Sequence, residues 1–143
     1  MNFKKILMVI FMSLGLGLAA GCGGSAASPT PAKSTAQQQA SLSGKKVLIA
    51  YFSWSGNTNA AAEKIPGLTG GDIYRIEAAD PYPGEYDATT DRAKQEQKDN
   101  ARPAIAGKAD LSKYDVIMVG YPIWWYQEPM IIDTFLESGD FSG

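Results

Sequence analysis

The pattern of apolar and polar positions in residues 45–143 predicts three β-strands. The segment "KVLIAYFS" is a continuous apolar run, which is typical of a strand buried on both faces of a parallel sheet. "GDIYRIEA" alternates apolar and polar residues more loosely and predicts a second, more exposed strand. A third buried strand is predicted over Asp115–Gly120, where it leads into a loop rich in aromatic residues.

A helix is predicted after each strand. "NTNAAAEKI" offers Asn57 or Thr58 as the N-cap of the first helix, and Pro66 is expected to end it. The second helix runs from about Tyr86 to Lys98, and its charges predict a solvated face. The third helix has Pro129 in its first turn. Its buried side is predicted to consist of Ile131, Ile132, Phe135 and Leu136.

This alternation of strands and helices predicts an α/β fold with a parallel sheet and right-handed crossovers. In open sheets of this class, ligands bind beyond the carboxyl ends of the strands. The loops that follow the first and the third strand are therefore the candidate binding segments.

Residues 1–21 have the pattern of a secretory signal peptide, in which a basic start precedes an apolar run from Ile6 to Leu18. A membrane-spanning helix needs about 20 apolar residues, so this length disfavours the alternative of a permanent anchor helix. Residues 22–44 are dominated by Gly, Ser, Ala, Pro, Thr and Gln and predict a flexible linker. The folded domain is therefore expected to occupy residues 45–143.

The signal segment ends "LAAGC", and Cys22 is the only cysteine of the chain. This resembles the lipobox of bacterial lipoproteins, in which the cysteine is lipidated and becomes the new N-terminus. The resemblance implies a membrane-anchored lipoprotein on the extracytoplasmic face of the cell envelope. Soluble secretion with an unpaired thiol is the alternative.

Composition excludes several classes of function. The formal charge is −2, whereas nucleic-acid binding requires a basic face. The chain has no histidine, which removes histidine-dependent triads and most zinc sites. With Cys22 assigned to a lipid, no thiolate site remains, and we nominate no catalytic residue and no metal ligand. Any redox chemistry must then come from a bound cofactor.

The hexapeptide "SWSGNT", residues 53–58, joins the first strand to the first helix. Gly56 permits close approach of the backbone, and the hydroxyls of Ser53, Ser55 and Thr58 can donate hydrogen bonds. It lacks the lysine of a nucleoside-triphosphate loop and the three glycines of a dinucleotide loop. This pattern favours a monophosphate ester, and a polar turn that binds nothing is the alternative.

"IAYFSWSGNTNAAAEKI" resembles the flavodoxin signature, whose loop binds the phosphate of FMN. The resemblance implies a flavodoxin-like three-layer α/β/α fold with strand order 2-1-3-4-5. It also implies that the phosphate is held by the backbone amides of Trp54 and Gly56 and by four side chains of the loop, those of Ser53, Ser55, Asn57 and Thr58.

"GYPIWWYQEP" carries four aromatic residues within six positions, and such rings suit the isoalloxazine of a flavin. In flavodoxin-like lipoproteins that this chain resembles, a similar loop borders the flavin. The resemblance implies that Pro122, Ile123, Trp124 and Trp125 supply backbone contacts and an aromatic wall. The alternative is that Trp124 or Trp125 belongs to the core. The segment "PYPGEYDATTDRAKQEQKDNARPAI" is interpreted as scaffold.

The resemblance implies an FMN-binding protein that transfers electrons at the bacterial cell envelope, with a redox partner protein or a small-molecule acceptor. An NAD(P)H-dependent FMN reductase of quinones or other small acceptors is one alternative. A flavin-free envelope lipoprotein that reuses the fold is another. The resemblance stops at "ESGDFSG", where the family continues into a fourth strand, so we expect only the first three strands and helices of a C-terminally truncated domain.

The lipobox resemblance predicts that cells expressing the full chain incorporate a labelled fatty acid into this protein at Cys22. Cys22→Ser should abolish the label because the hydroxyl cannot form the thioether. Ser25→Ala, three residues further on, is the matched control and should keep it. Label that persists in Cys22→Ser would exclude this position as the anchor.

Overall fold

The computed structural model describes residues 5–8 and 42–141, and in these ranges strands and helices alternate. The strands are β1 (Lys5–Met8), β2 (Val47–Tyr51), β3 (Asp72–Arg75) and β4 (Val116–Gly120). The helices are α1 (Asn57–Ala62), α2 (Pro66–Thr69), α3 (Tyr86–Lys98) and α4 (Met130–Glu137), and a 3-10 turn spans Leu111–Lys113.

The sheet is parallel, with the order β1-β4-β2-β3. Strand β2 lies in its interior, with Tyr51 opposite Arg75 of β3 on one side and Gly120 of β4 on the other. The order β3-β2-β4 is the 2-1-3 order expected for the first three strands of a flavodoxin-like sheet. The predicted fold class is therefore confirmed.

Strand β1 pairs with the outer edge of β4, with Lys5 opposite Val116 and Met8 opposite Val119. An edge strand leaves a row of unpaired N–H and C=O groups, and a parallel neighbour satisfies them. The sequence predicted three strands and assigned this segment to a signal peptide, so it did not anticipate β1.

Cys22 and nearly all of the predicted 22–44 linker lie outside the described residues. Cleavage before Cys22 and lipidation of its thiol therefore stay predictions. Within residues 5–8 and 42–141, no helix is long and apolar enough to cross a membrane.

The core lies on both faces of the sheet, which is why β2 is buried along its whole length. Leu48 and Ala50 point to the face covered by α4, where they belong to the same cluster as Ile131, Ile132 and Phe135 of that helix. The other β2 side chains point to the opposite face. There they pack with Ala62 of α1 and with Val116 and Met118 of β4.

The start of α1 differs from the prediction. Its N-cap is Gly56, not Asn57 or Thr58, and no side chain caps the helix. Gly56 has φ 91° and ψ −12°, a left-handed conformation that glycine adopts without steric cost because it has no Cβ. Asn57 and Thr58 consequently occupy the first two positions of the helix.

Other boundaries shift by a few residues. Helix α1 ends at Ala62, and Pro66 begins α2 instead of ending α1, as suits a proline whose missing N–H would have no helical partner. Pro129 is the N-cap of α4 and lies outside its first turn. Asp115 precedes β4, and its carboxylate accepts a hydrogen bond of 2.8 Å from the N–H of Lys46. Of the predicted buried side of α4, only Leu136 is partly exposed.

The tight packing at the start of β3 predicts a cost for a methyl group at Gly71. A Cβ there would lie 2.7 Å from Cδ1 of Ile49 and 2.9 Å from the carbonyl oxygen of Val47. We expect Gly71→Ala to lower the free energy of unfolding by about 1–3 kcal/mol, the usual cost of overpacking, as measured by urea denaturation.

Gly67→Ala is the matched control, because a Cβ at Gly67 in α2 meets no atom within 4 Å. Alanine is the better helix former, so this change should leave the stability unaltered or raise it by up to about 1 kcal/mol. Equal effects of the two substitutions would contradict the packing at Gly71.

Candidate functional site

Two loops lie side by side at the carboxyl edge of the sheet, as the sequence predicted. We call residues 53–58, after β2, the hydroxyl loop and residues 121–126, after β4, the aromatic loop. The N–H of Phe52 donates to the carbonyl of Gly120 at 2.9 Å, which extends the β2–β4 pairing into the loops. A Cβ at Gly120 would lie 3.5 Å from Cγ2 of Thr58, an ordinary packing distance, so the start of α1 lies directly beside the end of β4.

The hydroxyl loop is held by hydrogen bonds among its own residues. The N–H of Gly56 donates to Oγ of Ser53 at 3.1 Å, and Ser53 is only 5% exposed. The carbonyl of Gly56 accepts from the N–H of Ala60 at 2.9 Å, which starts α1. Ser55 and Asn57 are exposed and joined by a bond of 3.3 Å from Asn57 Nδ2 to Ser55 Oγ. The side chains open to a ligand are therefore those of Ser55 and Asn57, with Thr58 half-buried beside them. Ser53 shapes the turn, and the Gly56 amide, which the family resemblance assigned to the phosphate, is already bonded within the loop.

The backbone of Trp54 is part of the hydroxyl loop, but its side chain contacts the start of α3 and the residues just before it. Its Nε1–H donates to the carbonyl of Pro83 at 2.8 Å. The same carbonyl accepts from the hydroxyl of Thr89 in α3 at 2.6 Å. The indole ring also lies 6.3 Å from the ring of Tyr86. This side chain consequently ties the hydroxyl loop to the start of α3.

The aromatic loop ends in a two-residue turn. Trp124 and Gln127 exchange backbone hydrogen bonds of 2.9 and 3.1 Å, and between them Trp125 and Tyr126 have φ 46° and 70°. Left-handed conformations cost residues with a Cβ about 1–2 kcal/mol each. The indole of Trp125 donates to the carbonyl of Thr90 in α3 at 3.1 Å, which holds the turn against that helix.

Trp124 packs as part of an aromatic cluster with Phe52 and Tyr82. Its ring meets theirs edge-on, with centroid distances of 5.4 and 5.2 Å, and its carbonyl accepts from Nε2 of Gln97 at 2.9 Å. Trp124 is therefore half-buried and packs against the core cluster without being part of it. Trp125 is 44% exposed, and Lys94 lies 5.1 Å above its ring.

A partly buried charged group fastens the loop before α3. Arg92 donates to a carboxylate oxygen of Glu96 at 2.8 Å and to the carbonyls of Asp80 and Pro81, and it lies 4.2 Å above the ring of Tyr82. The hydroxyl of Tyr82 donates to Glu96 at 2.8 Å. Burial, together with this carboxylate, raises the pKa of Tyr82 well above its ordinary value. Tyr82 therefore stays a neutral hydrogen-bond donor, and this part of α3 is not the solvated face that its charges predicted.

A cavity of about 340 Å³ lies between α3 and the aromatic loop. The sequence interpretation of α3 as scaffold was incomplete, because this helix forms one wall. The available signal was the pair of threonines one helical turn before a small Ala93, in a segment otherwise dominated by charges. The lining consists of Trp54, four α3 residues (Tyr86, Thr89, Thr90 and Ala93) and residues 123–126.

The other side of the hydroxyl loop meets a second cavity, of about 320 Å³, which Ser53 lines together with Arg75. Arg75 is half-exposed and 3.5 Å from Glu77. The hydroxyl loop contains no lysine or arginine, but the fold places the side chain of Arg75 in the lining of the same cavity as Ser53. Within the described ranges, no group of three potential metal ligands is present.

The remaining predicted contact residues lie where the aromatic loop leaves β4. Tyr121 is buried in the core, Pro122 is half-buried and Ile123 is 44% exposed. The loop therefore turns outward at Pro122. Of the four predicted residues, Ile123, Trp124 and Trp125 line the first cavity.

Solved structures resemble this arrangement. A protein of Bacteroides eggerthii assigned as a flavoprotein is 42% identical, with a TM-score of 0.62, over 67% of this chain and 64% of its own. A similarly assigned protein of Bacteroides uniformis is 40% identical, with a TM-score of 0.64, over 70% and 67%. A flavoprotein of Lactobacillus acidophilus in complex with FMN is 31% identical, with a TM-score of 0.61, over 66% of each chain.

This chain therefore spans between 64% and 67% of the lengths of these three proteins. A comparison with curated proteins found no match. The sequence model of the flavodoxin family matches residues 46–143, which include the hydroxyl loop, α3 and the aromatic loop. The sheet order, the two adjacent loops and these matches agree, and the chain belongs to the flavodoxin family.

Proposed function

We propose that this protein binds FMN and uses it to transfer electrons at the bacterial cell envelope. The observation that carries the proposal is the adjacency of the hydroxyl loop and the aromatic loop, at neighbouring strand ends, in a member of the flavodoxin family. The Lactobacillus acidophilus neighbour, whose structure contains FMN, supports this cofactor.

The hydroxyl loop fits a phosphate group. The first N–H groups of α1 have no carbonyl partner within the helix, and they point with the positive end of the helix dipole toward the loop. Ser55, Gly56 and Asn57 are exposed there, and a Cβ at Gly56 would meet nothing within 4 Å, so an anion can approach the loop, while the N–H of Gly56 itself already donates to Ser53. Thr58 can add a hydroxyl, and Arg75 lies close enough to Ser53 to share a cavity.

The aromatic loop fits the ring system of the same cofactor. Pro122 and Ile123 follow β4, which pairs with the strand that carries the hydroxyl loop, so their backbone can reach an aromatic ring bound there. Trp124 packs edge-on against Phe52 and Tyr82 and Trp125 is bonded to α3, so neither indole is assigned a flat contact with the flavin. FMN, when bound, supplies one-electron and two-electron transfer. The chain itself binds and orients the cofactor and keeps water from its ring, and no side chain is assigned as an acid, a base or a nucleophile.

The envelope location rests on residues 1–44 alone. A lipid on Cys22 and a tether of about twenty residues would let the domain stand some tens of Å from the membrane surface. A carrier in that position reaches membrane-bound and soluble partners equally. The proposed class of partner is a redox protein, and a small-molecule acceptor is the second candidate.

Binding to the hydroxyl loop predicts a loss of FMN affinity when one of its hydroxyls is removed. A hydrogen bond to a charged group contributes about 1.5–3 kcal/mol. Thr58→Ala should therefore raise the Kd of the full chain for FMN by about tenfold to a hundredfold, as measured by quenching of FMN fluorescence.

Thr134→Ala in α4 is the matched control and should leave the Kd unchanged. If the wild-type chain shows no quenching at any FMN concentration tested, the flavin-free lipoprotein becomes the better description. If both variants bind as the wild type does, the phosphate lies elsewhere.

Electron transfer by a carrier predicts a second result. The FMN-loaded chain, once photoreduced, should pass electrons to oxidised cytochrome c, because its flavin is used in single-electron steps. It should not be reduced by NADPH alone. Both reactions are followed by absorbance, with the FMN-free chain as the blank. Sustained NADPH consumption with a quinone acceptor would instead assign the reductase.

A further inference from the structure

The cavity between α3 and the aromatic loop is separate from the exposed part of the hydroxyl loop. Trp54 is the one residue of that loop in its lining, and residues 55–58 take no part. Trp54 also turns its indole away from the loop, toward Pro83. The cavity and the exposed residues 55–57 of the hydroxyl loop therefore share no lining residue.

Exposed apolar side chains concentrate around this cavity. Six large apolar residues are exposed in the described part of the chain, and four of them line it: Tyr86, Ile123, Trp125 and Tyr126. A concentration of exposed aromatic residues around a concave surface is typical of a binding site.

The backbone that presents these rings is strained. Trp125 and Tyr126 both adopt positive φ, and the hydroxyphenyl group of Tyr126 is 98% exposed. Strained residues of this kind cluster at ligand sites, where the surrounding structure holds them in place. Here the holding contacts are the Trp124–Gln127 backbone pair and the bond from Trp125 to Thr90.

The polar groups of the lining select the chemistry of a ligand. Both indole N–H groups already donate, to Pro83 and to Thr90. The hydroxyls of Thr89 and Thr90 donate to the carbonyls of Pro83 and Asp87. A hydroxyl that donates still has lone pairs that accept. The lining contains no charged residue, so these threonines offer acceptors in an uncharged aromatic cavity.

We propose that this cavity is a second binding site, for a small, neutral, planar aromatic molecule that donates hydrogen bonds. Trp54 and Trp125 supply the flat walls, and Thr89 and Thr90 accept the hydrogen bonds of the ligand. The site depends on α3 and the aromatic loop, and it does not require that FMN binds to the hydroxyl loop.

The test uses 2-naphthol as the probe and isothermal titration of the full chain without FMN. The matched probes are 2-methoxynaphthalene, which lacks the O–H donor, and 2-naphthoate, which carries a negative charge. We expect 2-naphthol to bind, and each of the others to bind about fivefold or more weakly. The first lacks a donor, and the carboxylate of the second loses its water in a lining that contains no charged residue.

Two variants locate the binding. Trp125→Ala removes an aromatic wall and should weaken 2-naphthol binding by about tenfold. Thr90→Val removes an acceptor at nearly constant volume and should weaken it by about fivefold. Ile73→Ala in β3, which is equally exposed but lies outside the cavity, is the control and should bind as the wild type does.

Absence of 2-naphthol binding, or binding that neither variant weakens, would overturn the proposal. Equal binding of 2-methoxynaphthalene would overturn the hydrogen-bonding role of the threonines. A final titration with FMN present separates this site from the proposed cofactor site. Displacement of 2-naphthol by FMN would show one shared site, and unchanged binding in both solutions is the expected result.

Discussion

The parallel pairing of β2 with β4 is the constraint on which the rest of the structure depends. It continues past the strands, where the N–H of Phe52 bonds to the carbonyl of Gly120, so that the two strands end at the same height. Parallel strands release their loops at one edge of the sheet. The hydroxyl loop and the aromatic loop are consequently neighbours although more than sixty residues separate them.

Aromatic side chains connect the loops at the edge of the sheet to α3. Phe52, Tyr82 and Trp124 come from three different chain segments; Trp124 meets the other two rings edge-on, and those two are tilted against each other. The carbonyl of Pro83 accepts from both Trp54 and Thr89, so a single backbone group links the hydroxyl loop to the helix. Contacts of this kind order three loops together, which prepares them for a ligand before it arrives and lowers the entropy cost of binding.

The aromatic loop has two sides with different chemistry. One side adjoins the hydroxyl loop, where open amides and hydroxyls suit an anion. The other adjoins α3, where Trp54 and Trp125 border an uncharged cavity. A cofactor on the first side and a small aromatic molecule on the second would be separated by little more than this loop.

The sequence by itself determined β2, β3 and β4, the helices α1, α3 and α4, and which two loops follow neighbouring strands; β1 and α2 were not predicted. A strand buried on both faces is apolar throughout, so β2 and β4 could be predicted from uninterrupted runs of apolar residues. The bounds of α3 could be predicted from its polar residues and from the loop residues that flank it. The hydroxyl loop and the aromatic loop were identified because their unusual composition lies directly after these strands. Local chemistry was insufficient at the start of α1, where Gly56, Asn57 and Thr58 are all acceptable caps, and the bond from Gly56 to Ser53 selects the glycine.

Only the tertiary structure decided which residues from distant segments share a site. The approach of Arg75 to Ser53, the wall that α3 contributes to the cavity and the pairing of β1 with β4 all join residues far apart in sequence. It also separated the two tryptophans, since Trp124 packs against Phe52 while Trp125 stays exposed in a strained turn. Periodicity describes which side of its own element a residue takes. What that side meets depends on how the elements pack, and no local pattern contains that information.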